Sequence, residues 1–154
     1  MTKASHQQFV IDTVTAPFYG KLALSFADGY VADVDLSGVI RSRRFLARLR
    51  DPKLFTQVAL DEWRRGVVFG GDEDLALASD NLRAMSLEQK GEYSHRQIII
   101  WMDRHGMTLD QAAEALGVSR RMLAYYRSGE KAVPKTVGLA MSGWEHQKLR
   151  LGAA

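Results

Sequence analysis

Residues 108–129, TLDQAAEALGVSRRMLAYYRSG, constrain this chain more than any other stretch. Thr108 is placed to cap a helix, and Gln111 three residues on completes a capping box. Leu109, Ala112, Ala113 and Leu116 then recur at helical spacing. Gly117 follows the last apolar position, where a helix that turns sharply needs a residue tolerant of positive φ. Val118 is the apolar plug for the corner. Ser119 is a second N-cap, Arg120 to Arg127 predict a second short helix, and Ser128-Gly129 ends it. The pattern predicts two short helices about one tight corner, a helix-turn-helix.

Residue sizes agree with that geometry. Ala113 stands four residues before Gly117, where the second helix must pass close by. Leu123 and Tyr126 are i,i+3 neighbours that would face inward. This leaves Ser119, Arg120, Arg121, Ala124, Tyr125 and Ser128 on the outer face. In a helix-turn-helix, that face reads base edges in the major groove, mostly through its N-terminal residues. An arginine can donate two hydrogen bonds to guanine O6 and N7. Arg120, Arg121 and Tyr125 are therefore the expected base readers. Thr108, Ser119, Ala124, Arg127, Ser128 and Lys131 complete the expected DNA-binding set, with Ser119, Arg127 and Lys131 as phosphate holders. The plain alternative is an ordinary helical hairpin with a basic solvated face.

The order of Thr, Ala, Gly, Val-Ser, then Gly129 and Pro134 resembles the Cro/C1-type (Xre-like, lambda-repressor-like) helix-turn-helix domains, over roughly residues 94–149. The resemblance implies a compact bundle of about five helices that binds double-stranded DNA, usually as a dimer. Many members carry Gln after the capping Thr and contact the DNA backbone with it. Here that position is Leu109, so that contact is not expected.

Charge supports a nucleic-acid partner by distribution rather than by amount. The net charge is only +3. Residues 1–90 hold 12 Lys/Arg and 12 Asp/Glu, whereas residues 91–154 hold 9 and 6. Over residues 116–135, Arg120, Arg121, Arg127, Lys131 and Lys135 face only Glu130, a footprint suited to phosphates. So few cations per subunit predict a homodimer. The chain has no cysteine, which excludes disulfides and thiolate metal sites. Its N-terminus, MTKASHQQFVIDTV, lacks the apolar core of a signal peptide, and no run is long enough to cross a membrane. A cytoplasmic, bacterial-style protein is expected.

The N-terminal part reads as β. Phe9, Ile11 and Val14 predict a short strand that Pro17 breaks or marks as an edge. In YGKLALSFADGYVADVDL, two alternating runs flank Asp28-Gly29. A two-residue loop would bury an aspartate. A three-residue loop, Ala27-Asp28-Gly29, pairs Phe26 with Tyr30 and puts both apolar sets on one face, with Gly29 left-handed at a bulge. Arg41, Arg43, Arg44, Arg48 and Arg50 form a basic run with Phe45, Leu46 and Leu49 interleaved at helical spacing. It reads either as a second nucleic-acid surface or as a solvated helical face offset by the acidic residues 72–74. Asp51-Pro52 starts a short helical turn that points Leu54, Phe55 and Val58 inward. Residues 58–70 predict two short strands, with Trp63 covering the sheet edge. Asp72, Glu73 and Asp74 read as a solvated turn, since they lack the spaced oxygen ligands of an EF-hand. Residues 86–93 read as the linker.

The motifs LALSFADG, LRDPKLF and DEDLALASDNL resemble a small bacterial family known as domain of unknown function 2442, over roughly residues 8–85. Phe26, Asp28, Gly29, Asp51, Phe55, Asp74, Leu75 and Leu82 match its pattern, while Phe69-Gly70 replaces its usual Trp-Pro. The resemblance implies a compact α+β fold and no chemistry. Some members lie beside toxin-like genes or carry an added helix-turn-helix, which implies autoregulating antitoxins.

In the last part, Ser94 and Gln97 predict another capping box, and Ile98, Trp101, Met102 and His105 are spaced for burial. His95 and His105 lie ten apart with no third ligand beside them, so no metal site is expected. Pro134 starts a final helix with a Val137, Ala140, Met141, Trp144 stripe. Trp144 fits core and dimer interface equally. The end, LRLGAA, is expected to fray.

The sequence therefore predicts an α+β chain of two domains. Residues 1–88 form a small β-hairpin/sheet domain with short helices, and residues 89–154 an all-α helix-turn-helix bundle. The expected function is that of a sequence-specific DNA-binding transcriptional regulator. The alternative is an antitoxin-like module whose N-terminal domain captures a protein partner and whose DNA binding is autoregulatory. No nucleophile–base pairing, metal spacing or phosphate-binding glycine loop points to an enzyme or a cofactor.

Overall fold

The computed structural model describes residues 2–152. The chain divides into two compact units between Lys90 and Gly91. The first is α+β and the second all-helical.

In the first unit, β1 (Ile11–Phe18), β2 (Lys21–Phe26) and β3 (Val31–Asp35) form one antiparallel sheet in that order. Leu24 pairs with Ala32 and Leu22 with Val34, so the loop is the three-residue one expected. The Phe26 amide donates to the Tyr30 carbonyl at 2.8 Å, and Gly29 takes φ +93°, which its missing Cβ permits. Leu22, Leu24 and Phe26 on one strand, and Ala32 and Val34 on the other, are buried on a shared face. Pro17 falls at a register irregularity of the edge strand β1, where no ladder bond is lost. Phe9 is not part of β1; it ends a 3₁₀ helix, Thr2–Phe9.

Residues 37–55 are helical: α1 (Ser37–Ser42), a 3₁₀ helix (Arg44–Arg50) and α2 (Pro52–Phe55). The Asp51 carboxylate accepts from the Lys53 amide and Pro52 takes the first turn, as Asp-Pro predicts. Leu46, Leu49 and Phe55 are buried, but Phe45 is 53% exposed. A 3₁₀ helix turns in three residues, so Leu46 and Leu49 share a row that Phe45 does not join.

A second antiparallel sheet follows, of β4 (Val58–Leu60), β5 (Gly66–Phe69) and β6 (Asp72–Ala78), in that order. Trp63 does not cover its edge; it stands 75% exposed in the β4–β5 turn. Asp72, Glu73 and Asp74 are not a turn either. The turn is Gly70-Gly71, both at positive φ, and the acids open β6. Helix α3 (Ser79–Gln89) runs through the first half of the expected linker, leaving residues 90–94 as the connection. It stays helical because it packs on the hairpin. Arg83 pairs with Asp28 at 2.8 Å and donates to the Gln8 carbonyl, its guanidinium lies 4.4 Å over the Tyr30 ring, and Ser86 bonds the Tyr30 hydroxyl. The Gln89 amide also donates to the Asp35 carbonyl and accepts from its N–H at 2.9 Å each, occupying the edge of β3 as a neighbouring strand would.

Among the described residues the second unit has four helices, where the resemblance implied about five: α4 (His95–Arg104), α5 (Leu109–Leu116), α6 (Arg120–Ser128) and α7 (Lys135–Gly152). Ser94 and Thr108 each complete a capping box, with Gln97 and Gln111. Ile98, Trp101, Met102, Ala112, Ala113, Leu123, Val137 and Met141 form the core. Trp144 joins it, edge-on to Trp101 at 5.4 Å and to His105 at 4.8 Å. The chain end does not fray as early as expected: α7 continues to Gly152, and residues 153–154 lie outside the described ones.

Candidate nucleic-acid interface

The corner between α5 and α6 follows from its local chemistry. Gly117 takes φ +71° and ends α5, its amide bonding back to the helix. The Val118 amide donates to the Ala113 carbonyl at 3.1 Å, and the Val118 side chain packs on the core. Ser119 then caps α6 by accepting from the Met122 amide at 3.1 Å. Buried Leu123 and half-buried Tyr126 hold α6 down. Gly129, at φ +81°, ends it.

The outward positions of α6 divide into two parts. Arg121, Tyr125 and Lys131 form one cluster. Arg121 Nε donates to the Tyr125 hydroxyl at 3.2 Å, and Lys131 Nζ lies 4.9 Å from the Tyr125 ring centre. The Lys131 amide donates to the Tyr125 carbonyl, which fixes Lys131 at the end of the helix. The hydrogen bond to the tyrosine hydroxyl raises the Arg121 guanidinium pKa from its ordinary value. Arg120 is drawn the other way: its Nε lies 3.4 Å from Asp110 Oδ1 on α5, with both side chains about two-thirds exposed or more.

The remaining expected contacts are placed less simply. Ala124 is half-buried. Ser128 Oγ donates to the Tyr125 carbonyl and accepts from the Glu130 amide, so it serves the helix end first. Thr108 Oγ1 accepts from the Gln111 amide while remaining exposed. Arg127 sits at the margin of the face, since seven residues return nearly to the azimuth of Arg120. There it lines a shallow cleft of about 300 Å³ with Ile99, Met102 and Asp103 of α4. Asp110 is the residue that sequence reasoning missed. An acid in the first turn of a helix looks like a dipole partner, and only the corner geometry turns it toward Arg120.

Among the described residues, no three His, Cys, Asp or Glu side chains gather as a metal site would need. His105 bonds Glu145 at 3.1 Å, so it serves the α4–α7 contact. None of the described helices is long and apolar enough to cross a membrane.

No protein-family model and no curated protein matches the sequence, so neither resemblance drawn from its motifs is matched by a family model. A solved structure does. The crystal structure of "Putative DNA Binding Protein NE0471" from Nitrosomonas europaea ATCC 19718 superimposes with a TM-score of 0.79 at 37% identity, covering 88% of this chain and 86% of that one.

Proposed function

We propose that this chain, which belongs to the same family as NE0471 of Nitrosomonas europaea, is a sequence-specific transcriptional regulator that lays α6 in the major groove of duplex DNA. The observation that carries this reading is the capped α5–Gly117–α6 corner, which leaves Arg121, Tyr125 and Lys131 clustered on its outer side. Arg121 and Arg120 read bases, with Tyr125 steering Arg121. Lys131, Arg127 and the capped N-terminus at Ser119 hold phosphates. Arg120 exchanges Asp110 for DNA, because an exposed pair of this kind is worth at most about 1 kcal/mol. Few phosphates are within reach of one such helix, so a homodimer reading two half-sites supplies the affinity.

Titrating a bound duplex tests the assignment. Arg121→Ala should cost roughly 1–3 kcal/mol and relax the preference at one base pair, whereas Lys131→Ala should weaken all sequences alike and lower the salt slope by about one. Equal losses on every sequence for both variants would remove Arg121 from base reading.

A further inference from the structure

Of the acids expected to offset the arginine run of the first unit, only Asp72 pairs with it. Residues 36–50 hold five arginines and no acid. All five are exposed, and only Arg48 has an ion-pair partner among the described residues, Asp72. Asp35 and Asp51, which flank the run, are used locally: Asp35 accepts from the Ser37 amide and Asp51 from that of Lys53. The charge of Arg41 reaches Asp35 only as the smallest influence on its carboxyl. The fold also gathers the run. Arg50 Nη2 lies 3.5 Å from the Arg41 carbonyl oxygen, which brings the two ends of the segment together. Arg44 and Arg50 stand six residues apart on one row of the 3₁₀ helix, roughly 12 Å along its axis.

We infer that Arg41, Arg44 and Arg50 form a second DNA-contacting surface, one that takes duplex phosphates without reading bases. Arg41, Arg44 and Arg50 have no ion-pair partner among the described residues, so their charge is left for a polyanion to neutralise. Guanidinium groups suit phosphates because their planar fork donates two bonds to one anion. The choice of DNA as the polyanion rests on the reading of α6 above.

The test is a salt titration of the full chain on a labelled random-sequence duplex, followed by fluorescence anisotropy. Arg41→Ala/Arg44→Ala/Arg50→Ala should lower the slope of log K against log salt by about 0.9 for each phosphate no longer neutralised. It should also weaken binding at least tenfold at low salt. Arg48→Ala, whose guanidinium is committed to Asp72, should keep the wild-type slope. Matching thermal melts establish that the variants fold. A triple variant with unchanged slope and affinity overturns the proposal and leaves the run a solvated face. If that variant instead loses binding to polyglutamate alone, the surface belongs to an acidic protein, and the proposal is equally overturned. Arg121→Ala/Lys131→Ala in parallel separates the two readings. If it leaves duplex affinity intact while the triple variant lowers it, the α6 reading fails and this one stands. A wild-type chain that does not bind duplex removes both.

Discussion

At the residue scale, the candidate interface depends on groups that are cheap to redirect. The Arg120–Asp110 pair is open to solvent. Its strength is therefore a fraction of a kcal/mol, and salt weakens it further. Asp110→Ala should raise duplex affinity, by about two- to fivefold at low salt, since it frees Arg120 and removes a charge that repels phosphate; unchanged binding isotherms would show that Arg120 takes no part. The glycines make a sharper comparison. At Gly117 a Cβ would meet open space, so Gly117→Ala carries only the positive-φ penalty of about 1–2 kcal/mol. At Gly138 an added Cβ would run into the Tyr93 ring. Gly138→Ala should therefore destabilise more than Gly117→Ala in urea unfolding, despite its ordinary helical backbone. The reverse order would mean that Tyr93 moves aside freely.

At the element scale, capping and clamping hold the second unit in shape. Thr108→Ala removes one half of a reciprocal cap and should cost about 1 kcal/mol of stability. The α4–α7 contact has an acid-sensitive clamp. The His105 hydrogen bond to Glu145, joined by the charge and hydrogen bond of Arg104 at 3.0 Å, lowers the Glu145 carboxyl from its ordinary 4.5 against an opposing cost of burial. A carboxylate lowered on folding adds stability that is complete above its unfolded value and is lost as pH falls through the folded one. The melting temperature should therefore drop below about pH 4.5, and Glu145→Gln should flatten part of that drop. Much of this was legible in the sequence, because caps, left-handed glycines and alternation are local signals. Thr108/Gln111, Ser94/Gln97, Asp51-Pro52 and the Phe26–Tyr30 pairing all follow from neighbours within a few residues. What was not legible depends on distant partners. The acids 72–74 form a strand because β5 lies beside them, Trp63 stays exposed because none of the described segments returns to cover it, and α3 continues to Gln89 because Tyr30 and Asp35 lie next to it. In the candidate interface, the order of α5, corner and α6 was visible, but the division of Arg120 toward Asp110 and Arg121 toward Tyr125 was not.

At the scale of the whole molecule, the two units share one chemical theme. The second carries the chain's net positive charge, and the first is neutral in sum although its residues 36–50 hold five arginines and no acid. Kinship with NE0471 runs through 88% of the chain, so both units belong to the shared architecture. Under the proposed function, this architecture reads a DNA sequence through α6. Selection of bound sites from a random duplex pool, with Arg121→Ala beside the wild-type chain, tests it most directly. The wild type should yield a two-fold symmetric site, and the variant the same site with one base pair per half relaxed. A pool that never enriches, or one that enriches the same site equally with and without Arg121, would contradict it.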